Sequence, residues 1–219
     1  MNLSKRLSFI ANFIDKNMVI ADIGSDHGFL TYYLLKENIV SRAFASDNKI
    51  GPFTNLKNTF NGFDKTRIEL SLSSGLDCLP EYVNALLITG MGGDLIVKIL
   101  LEGQDKLKNI EYLILSPHSH LEKVRLFMMK NNYHLIDEGM VIDDKFYTVL
   151  KYQRGEETLN EKEIIYGPIL IKKREPVFLD YLSKLLLEKK NLLNISLNED
   201  KMKKVKEEIL TLEGIINDE

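Results

Sequence analysis

The run Val19-Ile20-Ala21-Asp22-Ile23-Gly24-Ser25-Asp26-His27-Gly28 gathers two carboxylates and an imidazole around a glycine. It reads as a short buried strand that breaks at Gly24 and restarts as a helix. Without a Cβ at Gly24, backbone can approach a ligand closely. The flanking acids argue against a phosphate cradle, and the G-x-x-x-x-G-K-[ST] pattern with its lysine is absent. The dinucleotide fingerprint also fails: Asp26 occupies the second glycine's place and no third glycine stands at its offset. An acidic strand–Gly–helix turn suits a neutral or cationic ligand that carries a ribose, and S-adenosylmethionine fits. An ordinary βα turn, with Gly24 for geometry and Asp26 capping the helix, accounts for the same residues.

A second acid weighs toward the ligand. Ala43-Phe44-Ala45-Ser46 ends at Asp47, about 20 residues after the first turn, where acids in open α/β folds accept from ribose hydroxyls. A third turn, Thr89-Gly90-Met91-Gly92-Gly93, follows the wholly apolar Ala85-Leu86-Leu87-Ile88. Among the other groups, Cys78 is the only cysteine, so no internal disulfide is possible and no zinc-type Cys/His cluster exists. No metal site is expected.

The elements that must hold these turns alternate. Leu3, Leu7, Ile10, Phe13 and Ile14 repeat at helical spacing, and the strand ending at Ile23 follows. Residues 28–37 read as a helix, 43–46 as a strand, 52–60 as a helix opened by Gly51-Pro52, and Ile68–Leu72 as a strand. Ala85–Ile88 suits a sheet covered on both faces. A helix follows from about Leu95, then the strand Tyr112–Leu115, then a helix over 120–131. His134–Ile136 and Phe146–Leu150 read as closing strands around Asp143-Asp144. Five βα repeats and a terminal hairpin imply an α/β, Rossmann-like sheet, mostly parallel with an antiparallel C-terminal edge. Ligands on such sheets bind beyond the carboxyl ends of the strands, where the strand order reverses.

The division expected is a donor-binding catalytic domain over 1–154 and a helical hairpin over 155–219. Gly155, Gly167-Pro168 and Pro176 read as a linker. Leu179, Leu182, Leu186 and Leu193 then fall on a 3–4 repeat with Lys189 in the missing place. Met202, Val205, Ile209, Leu212 and Ile216 continue it after a turn over Asn194–Glu199. This is a coiled-coil-like antiparallel pair, either a stabilising or oligomerising appendage or an arm that reaches a large substrate.

Charge and hydropathy bound the partners. The net charge of −3 lies in residues 155–219, which hold 11 Lys/Arg against 14 Asp/Glu, while residues 1–154 balance at 18 each. Bulk charge therefore does not advertise nucleic acid. Any RNA contact must use Lys5-Arg6, Lys172-Lys173-Arg174 or Lys201-Met202-Lys203-Lys204, each of which also reads as solvated surface. No apolar run reaches the ~18 residues a membrane span needs, and no signal-type h-region opens the chain. The expectation is a cytoplasmic monomer that does not contact membrane.

Asp22-Ile23-Gly24-Ser25-Asp26-His27, Gly51-Pro52, Ser74-Gly75-Leu76 and Gly90-Met91-Gly92-Gly93, in that order, resemble the bacterial methyltransferases that modify N1 of adenine 22 in tRNA. Leu3-Ser4-Lys5-Arg6-Leu7 and Phe146-Tyr147 match too, so the likeness covers the whole chain. It implies S-adenosylmethionine as donor and tRNA as acceptor. It also implies a donor pocket drawn from Asp22, Gly24, Ser25, Asp26, His27, Asp47, Asn48, Ser74, Gly75, Gly90 and Met91. Acceptor contacts would come from Arg6, Gly92, Ser116, Pro117, His118, Lys172, Lys173 and Arg174. The chain departs from the family pattern at Ser74, where an acid is usual, and at Ser116-Pro117-His118, where Gln-Pro-Asn is usual.

Adenine N1 has its own lone pair, so the resemblance calls for no activated serine or cysteine. A carboxylate near N6 would offset the product's charge or take its proton, and Asp26 is the catalytic candidate. Because N1 lies on the Watson–Crick edge, the base must be unpaired or flipped, with Tyr32, Tyr33 or Met91 available to stack. Two other readings remain open at this point. One is a methyltransferase acting on another RNA, a protein or a small molecule. The other is a non-catalytic nucleotide-binding scaffold.

Overall fold

The computed structural model describes residues 3–194 and 198–218. It divides into two compact units, Met1–Thr158 and Leu159–Glu219, the first running past the expected limit at 154. In the first unit, strands β1 (Ile20–Ile23), β2 (Ala43–Asp47), β3 (Ile68–Leu72), β4 (Ala85–Thr89), β5 (Tyr112–Ser116), β6 (Tyr133–Ile142) and β7 (Phe146–Arg154) form one sheet in the order β3-β2-β1-β4-β5-β7-β6. The first five are parallel, and β7 and β6 close the edge antiparallel. This is the expected Rossmann-like sheet.

Burial follows the two-residue period. Ile20, Ala43, Ala45, Ile68, Ala85, Leu87 and Ile114 join one core cluster with Ile10 of α1 (Lys5–Ala11), Leu30 and Leu34 of α2 (Phe29–Lys36) and Leu56 of α3 (Ile50–Thr59). Residues of opposite parity, including Ala21, Phe44, Leu86, Ile88 and Leu113, are equally buried. They face the side that Ile96 and Leu100 of α4 (Gly93–Glu102) and Val124 and Met128 of α5 (Leu121–Lys130) cover. A sheet clad on both faces needs continuous apolar strands, which is why β1 and β4 lack polar alternation.

Several expectations are corrected. The first helix stops at Ala11, and Phe13 and Ile14 reach the core from the turn after it. α3 begins before Pro52, at Ile50. No helix joins β3 to β4: Gly75 (φ +50°) and Pro80 break the helical period, and residues 73–84 turn directly. One of the five βα repeats is therefore only a loop. The closing strands run on to Ile142 and Arg154, with an irregularity between Leu135 and Asp137. That bulge shifts the inward-facing set by one residue, which hid the strand's length from its pattern.

In the second unit, the expected linker contains two short helices, α6 (Glu161–Tyr166) and α7 (Pro168–Lys173). α6 opens on a capping box: the Asn160 side chain accepts from the Glu163 amide, and the Glu163 carboxylate accepts from the Asn160 amide. α8 (Pro176–Leu192) and α9 (Glu199–Asn217) follow. Arg174, before α8, reaches the carbonyls of Ile215 and Ile216 at the end of α9, whereas Lys189, late in α8, pairs with Glu208 at 2.6 Å. The helices are therefore antiparallel. Phe178, Leu182, Ile209 and Leu212 form the buried seam, which ends on Ile215 rather than Ile216. A straight helix drifts from a strict seven-residue repeat by about 20° per heptad, enough to bring the neighbouring residue inward. Of the expected turn over Asn194–Glu199, residues 195–197 lie outside the described residues.

A buried ion pair in the first core joins α5 to β6. Both Nε and Nη2 of Arg125 donate to Glu138 Oε1, at 3.0 and 2.7 Å, with both side chains essentially inaccessible. Removing one partner of such a pair strands a buried charge. Glu138→Ala should lower the unfolding free energy by about 3–5 kcal/mol, and Arg125→Met combined with Glu138→Leu should cost much less. Urea titrations of both variants check this; a Glu138→Ala protein as stable as wild type would contradict it.

Candidate active site

The strand order reverses between β1 and β4, and the loops at their carboxyl ends are stitched together there. The amides of Gly24 and Ser25 both donate to the Ser46 carbonyl, each at 2.9 Å. The Asp47 carboxylate accepts from the Asp26 amide at 3.3 Å and from the Lys49 amide at 2.9 Å. Ser73 donates to the Asp47 carbonyl, Gly90 to Ser116 and His118 to Met91. Gly24 is left-handed (φ +71°), and a Cβ there would collide with the Met91 methyl. The glycine is therefore required by its conformation, with the flexible end of Met91 packed against it.

These loops enclose a cavity of about 500 Å³, within the roughly 300–1,000 Å³ common for small-molecule sites. Gly24, Asp26, Asp47, Asn48, Ser74, Gly75, Gly90 and Met91 all line it. So do Lys49, Leu76, Leu95, Lys98 and Ile99, which sequence reading missed. The last three lie on α4, and only the packing of that helix against the β3–β4 loop turns them toward the cavity. A second cavity of about 260 Å³ is lined by Arg6, Asp22, Ser25, His27, Phe29 and His118, and shares Gly24, Asp26, Thr89 and Gly90 with the first.

Asp22 is buried beneath the second cavity, and its Oδ2 accepts from Ser25 Oγ at 2.8 Å and Thr31 Oγ1 at 2.6 Å. Burial pushes its carboxyl above the ordinary range, against the pull of those two hydrogen bonds, and the Asp47 charge adds to the rise. Asp26 does not cap the helix. Gly28 occupies the N-cap of α2, while Asp26 sits in the left-handed region at φ +51° with its side chain 61% exposed. Such a φ is tolerated by Asp and Asn, so the carboxylate is free of any capping duty and stands at the junction of the two cavities.

His118 lines the second cavity with its ring edge-on to Tyr147 at 5.6 Å. The Arg6 guanidinium lies 4.9 Å and Lys145 Nζ 5.3 Å from the Tyr147 ring centre, and Tyr147 donates to Asp144 at 2.7 Å. Partial burial holds the His118 imidazole below the ordinary histidine value; Lys145 and Arg6 add to this, while Asp144 and the Gly90 backbone oppose it.

Other expected contacts fall elsewhere. Ser116 is buried and donates to the Thr148 carbonyl at 3.0 Å, so it serves the sheet. Pro117 is buried and Gly92 caps α4; neither lines a cavity. Tyr32 packs between Phe60 and Phe63, and Tyr33 lies against the α1–α2 core, so neither is available to stack on a base there. Lys172 and Lys173 are exposed in the second unit. Arg174 is committed to the carbonyl end of α9, where a cation is favourable.

Comparison with known proteins points one way. The family model for tRNA (adenine(22)-N(1))-methyltransferase matches residues 20–214. A Bacillus subtilis (strain 168) protein named tRNA (adenine(22)-N(1))-methyltransferase is 36% identical over 189 residues, covering 82% of this chain and 79% of that one. A Streptococcus pneumoniae structure in complex with S-adenosyl-L-methionine superposes with a TM-score of 0.91 at 29% identity, covering 98% of this chain and 100% of that one. A Mycoplasma capricolum structure with S-adenosyl-homocysteine gives 0.86 at 26%, covering 98% of each.

The electrostatics of the second cavity can be read directly. Protonating His118 adds a cation beside two others, so removing one of them should favour the protonated form. Lys145→Gln should move the His118 midpoint upward toward the ordinary value near 6.5, as followed by the imidazole Cε1–H resonance in an NMR pH titration. A midpoint that stays or falls would contradict the assigned cause.

Proposed function

The chain belongs to the tRNA (adenine(22)-N(1))-methyltransferase family, and from that premise we propose how its two cavities divide the reaction. The enzyme transfers a methyl group from S-adenosylmethionine to N1 of adenine 22 in tRNA. The larger cavity takes the donor and the smaller one the adenine. The observation that carries this reading is the shared wall of Gly24, Asp26, Thr89 and Gly90, which sets the two reactants on either side of the same few atoms.

The residues present fit the donor. Each Asp47 oxygen accepts one backbone amide, and an ionised carboxylate has about four acceptor sites, so lone pairs remain for a ribose diol. Asp26 adds a second negative charge beside a cationic ligand. Gly24 and Gly90, both left-handed, let backbone close on it. When bound, S-adenosylmethionine supplies a methyl activated by its sulfonium; the protein's task is to aim it. Holding two reactants in near-attack geometry is worth about 7–11 kcal/mol in favourable cases, and the stitched loops supply that rigidity.

Adenine N1 brings its own lone pair, so no side-chain nucleophile is called for. Asp26 faces the charge that develops on the base, offsetting it or accepting the N6 proton. Asp22, beneath the same cavity, is anchored by Ser25 and Thr31 and fixes the loop that carries Asp26. His118, held toward its neutral form, adds no opposing cation. Family membership favours neither a non-catalytic scaffold nor another acceptor.

The second unit acts as a coiled-coil-like RNA-binding arm in this reading. Its exposed Lys172, Lys203 and Lys204 offer phosphate contacts beyond those of the charge-balanced residues 1–154. The division of labour is then a catalytic domain over 1–154 and a hairpin domain over 155–219. The work belongs in the cytoplasm with its tRNA. Among the described residues, no helix is long and apolar enough to cross a membrane, and no metal-binding cluster occurs. A single copy suffices, since one chain supplies both cavities.

Asp47→Ala should weaken donor binding roughly 10- to 150-fold, the loss of one charge-assisted hydrogen bond, with tRNA affinity much less changed. Titration calorimetry with S-adenosylmethionine and filter binding with tRNA check both halves; unchanged donor affinity would remove Asp47 from the site. For the reaction, labelled donor and tRNA transcripts with adenine or guanine at position 22 should give label in the adenine transcript only. Asp26→Asn keeps the left-handed turn but cannot accept a proton, so its single-turnover rate should fall roughly 10²–10⁴-fold. A wild-type rate at saturating donor and tRNA would end the catalytic role of Asp26.

A further inference from the structure

The mouth of the smaller cavity carries an aromatic pair that the reading above leaves unused. His27 and Phe29 stack with ring centroids 5.0 Å apart and planes 19° from parallel. Both line the cavity. Neither is buried: Phe29 is 38% exposed and the His27 side chain 47%, whereas Leu30, the next residue, is at 4%.

The chain presents this pair by a specific device. Gly28 lies between the two residues at φ +68°, and a Cβ there would meet Leu56 and Phe60. The left-handed turn brings residues two apart in sequence ring to ring, where an ordinary helical start would splay them. An exposed phenylalanine at the first position of a helix does not stabilise the core. Its surroundings do not suit a lipid or an apolar protein face either. The same cavity presents Arg6, Asp22, Ser25, Asp26 and His118. A flat ring wall bordered by charged and polar groups matches a nucleobase, whose faces stack and whose edges hydrogen-bond.

Resting on the assignment of this cavity to the acceptor, we propose that the His27–Phe29 pair is the wall against which adenine 22 stacks once it has been drawn out of the tRNA. The pair then holds the plane of the base, while Asp26 and the Gly90 loop meet its edge. Its contribution is to binding and orientation, and the rings take no part in bond making.

The experiment uses the full-length protein, saturated with S-adenosylhomocysteine, and a tRNA carrying fluorescent 2-aminopurine at position 22. Stacking quenches this base. At equal tRNA occupancy, the complex with wild type should be dim, Phe29→Ala bright, and Phe29→Tyr dim. In methylation assays on unmodified tRNA, Phe29→Ala should lose roughly 5- to 150-fold in kcat/KM, the range for one base–aromatic stack. Phe29→Tyr should stay near wild type. Donor affinity, unchanged in each variant by calorimetry, reports that the loop has kept its fold. Equal fluorescence and equal kcat/KM for wild type and Phe29→Ala would overturn the stacking wall alone. His118→Trp, which fills the cavity, separates the deeper failure: full methylation by that variant would show that the adenine goes elsewhere and would overturn both assignments.

Discussion

The site depends on one set of contacts, the grip of the β2 carboxyl end on the loop that leaves β1. The Ser46 carbonyl takes two successive amides and the Asp47 carboxylate takes a third. Three consecutive backbone donors, from Gly24, Ser25 and Asp26, are thereby satisfied without a helix. The chain can then pass through left-handed conformations at residues 24, 26 and 28 before α2 starts. Each of these conformations is unfavourable or glycine-dependent in isolation. Together they form the partition between two cavities. A regular βα turn would satisfy the same donors but leave no partition.

That partition sets the electrostatics on both sides. A buried carboxylate at Asp22, whose ionised form burial opposes, lies under the loop, while Asp26 and Asp47 stay at the rims. Acids thus stand at the rims of both cavities. The cations Arg6 and Lys145 are drawn off onto the faces of Tyr147, and with partial burial they depress the His118 imidazole.

The second unit follows a different physics. It has a narrow seam and relies on polar closure: the Arg174 guanidinium on the last carbonyls of α9, and Lys189 on Glu208. A lysine at the vacant seam position would cost stability if unpaired; here the pairing partner comes from the facing helix. Arg174 and Lys189 are thus held within the hairpin, while Lys172, Lys203 and Lys204 are exposed.

How much of this was legible in the sequence depended on the range of the interaction involved. The apolar runs of β1 and β4 and the acids at the ends of β1 and β2 encode a donor-binding sheet locally, because a doubly covered parallel strand and a glycine turn are each dictated by a few neighbouring residues. The Asn160–Glu163 capping box was equally local, but Gly167-Pro168 masked it. The helical repeat of 179–216 determined a hairpin to within one residue at its end. Contacts between distant segments decided the rest. Ser116 was turned into the sheet by its bond to Thr148, and α4 swung Leu95, Lys98 and Ile99 into the larger cavity. Each depends on a partner tens of residues away in the chain, brought close only once the sheet has formed, and no residue type or spacing specifies such a partner in advance.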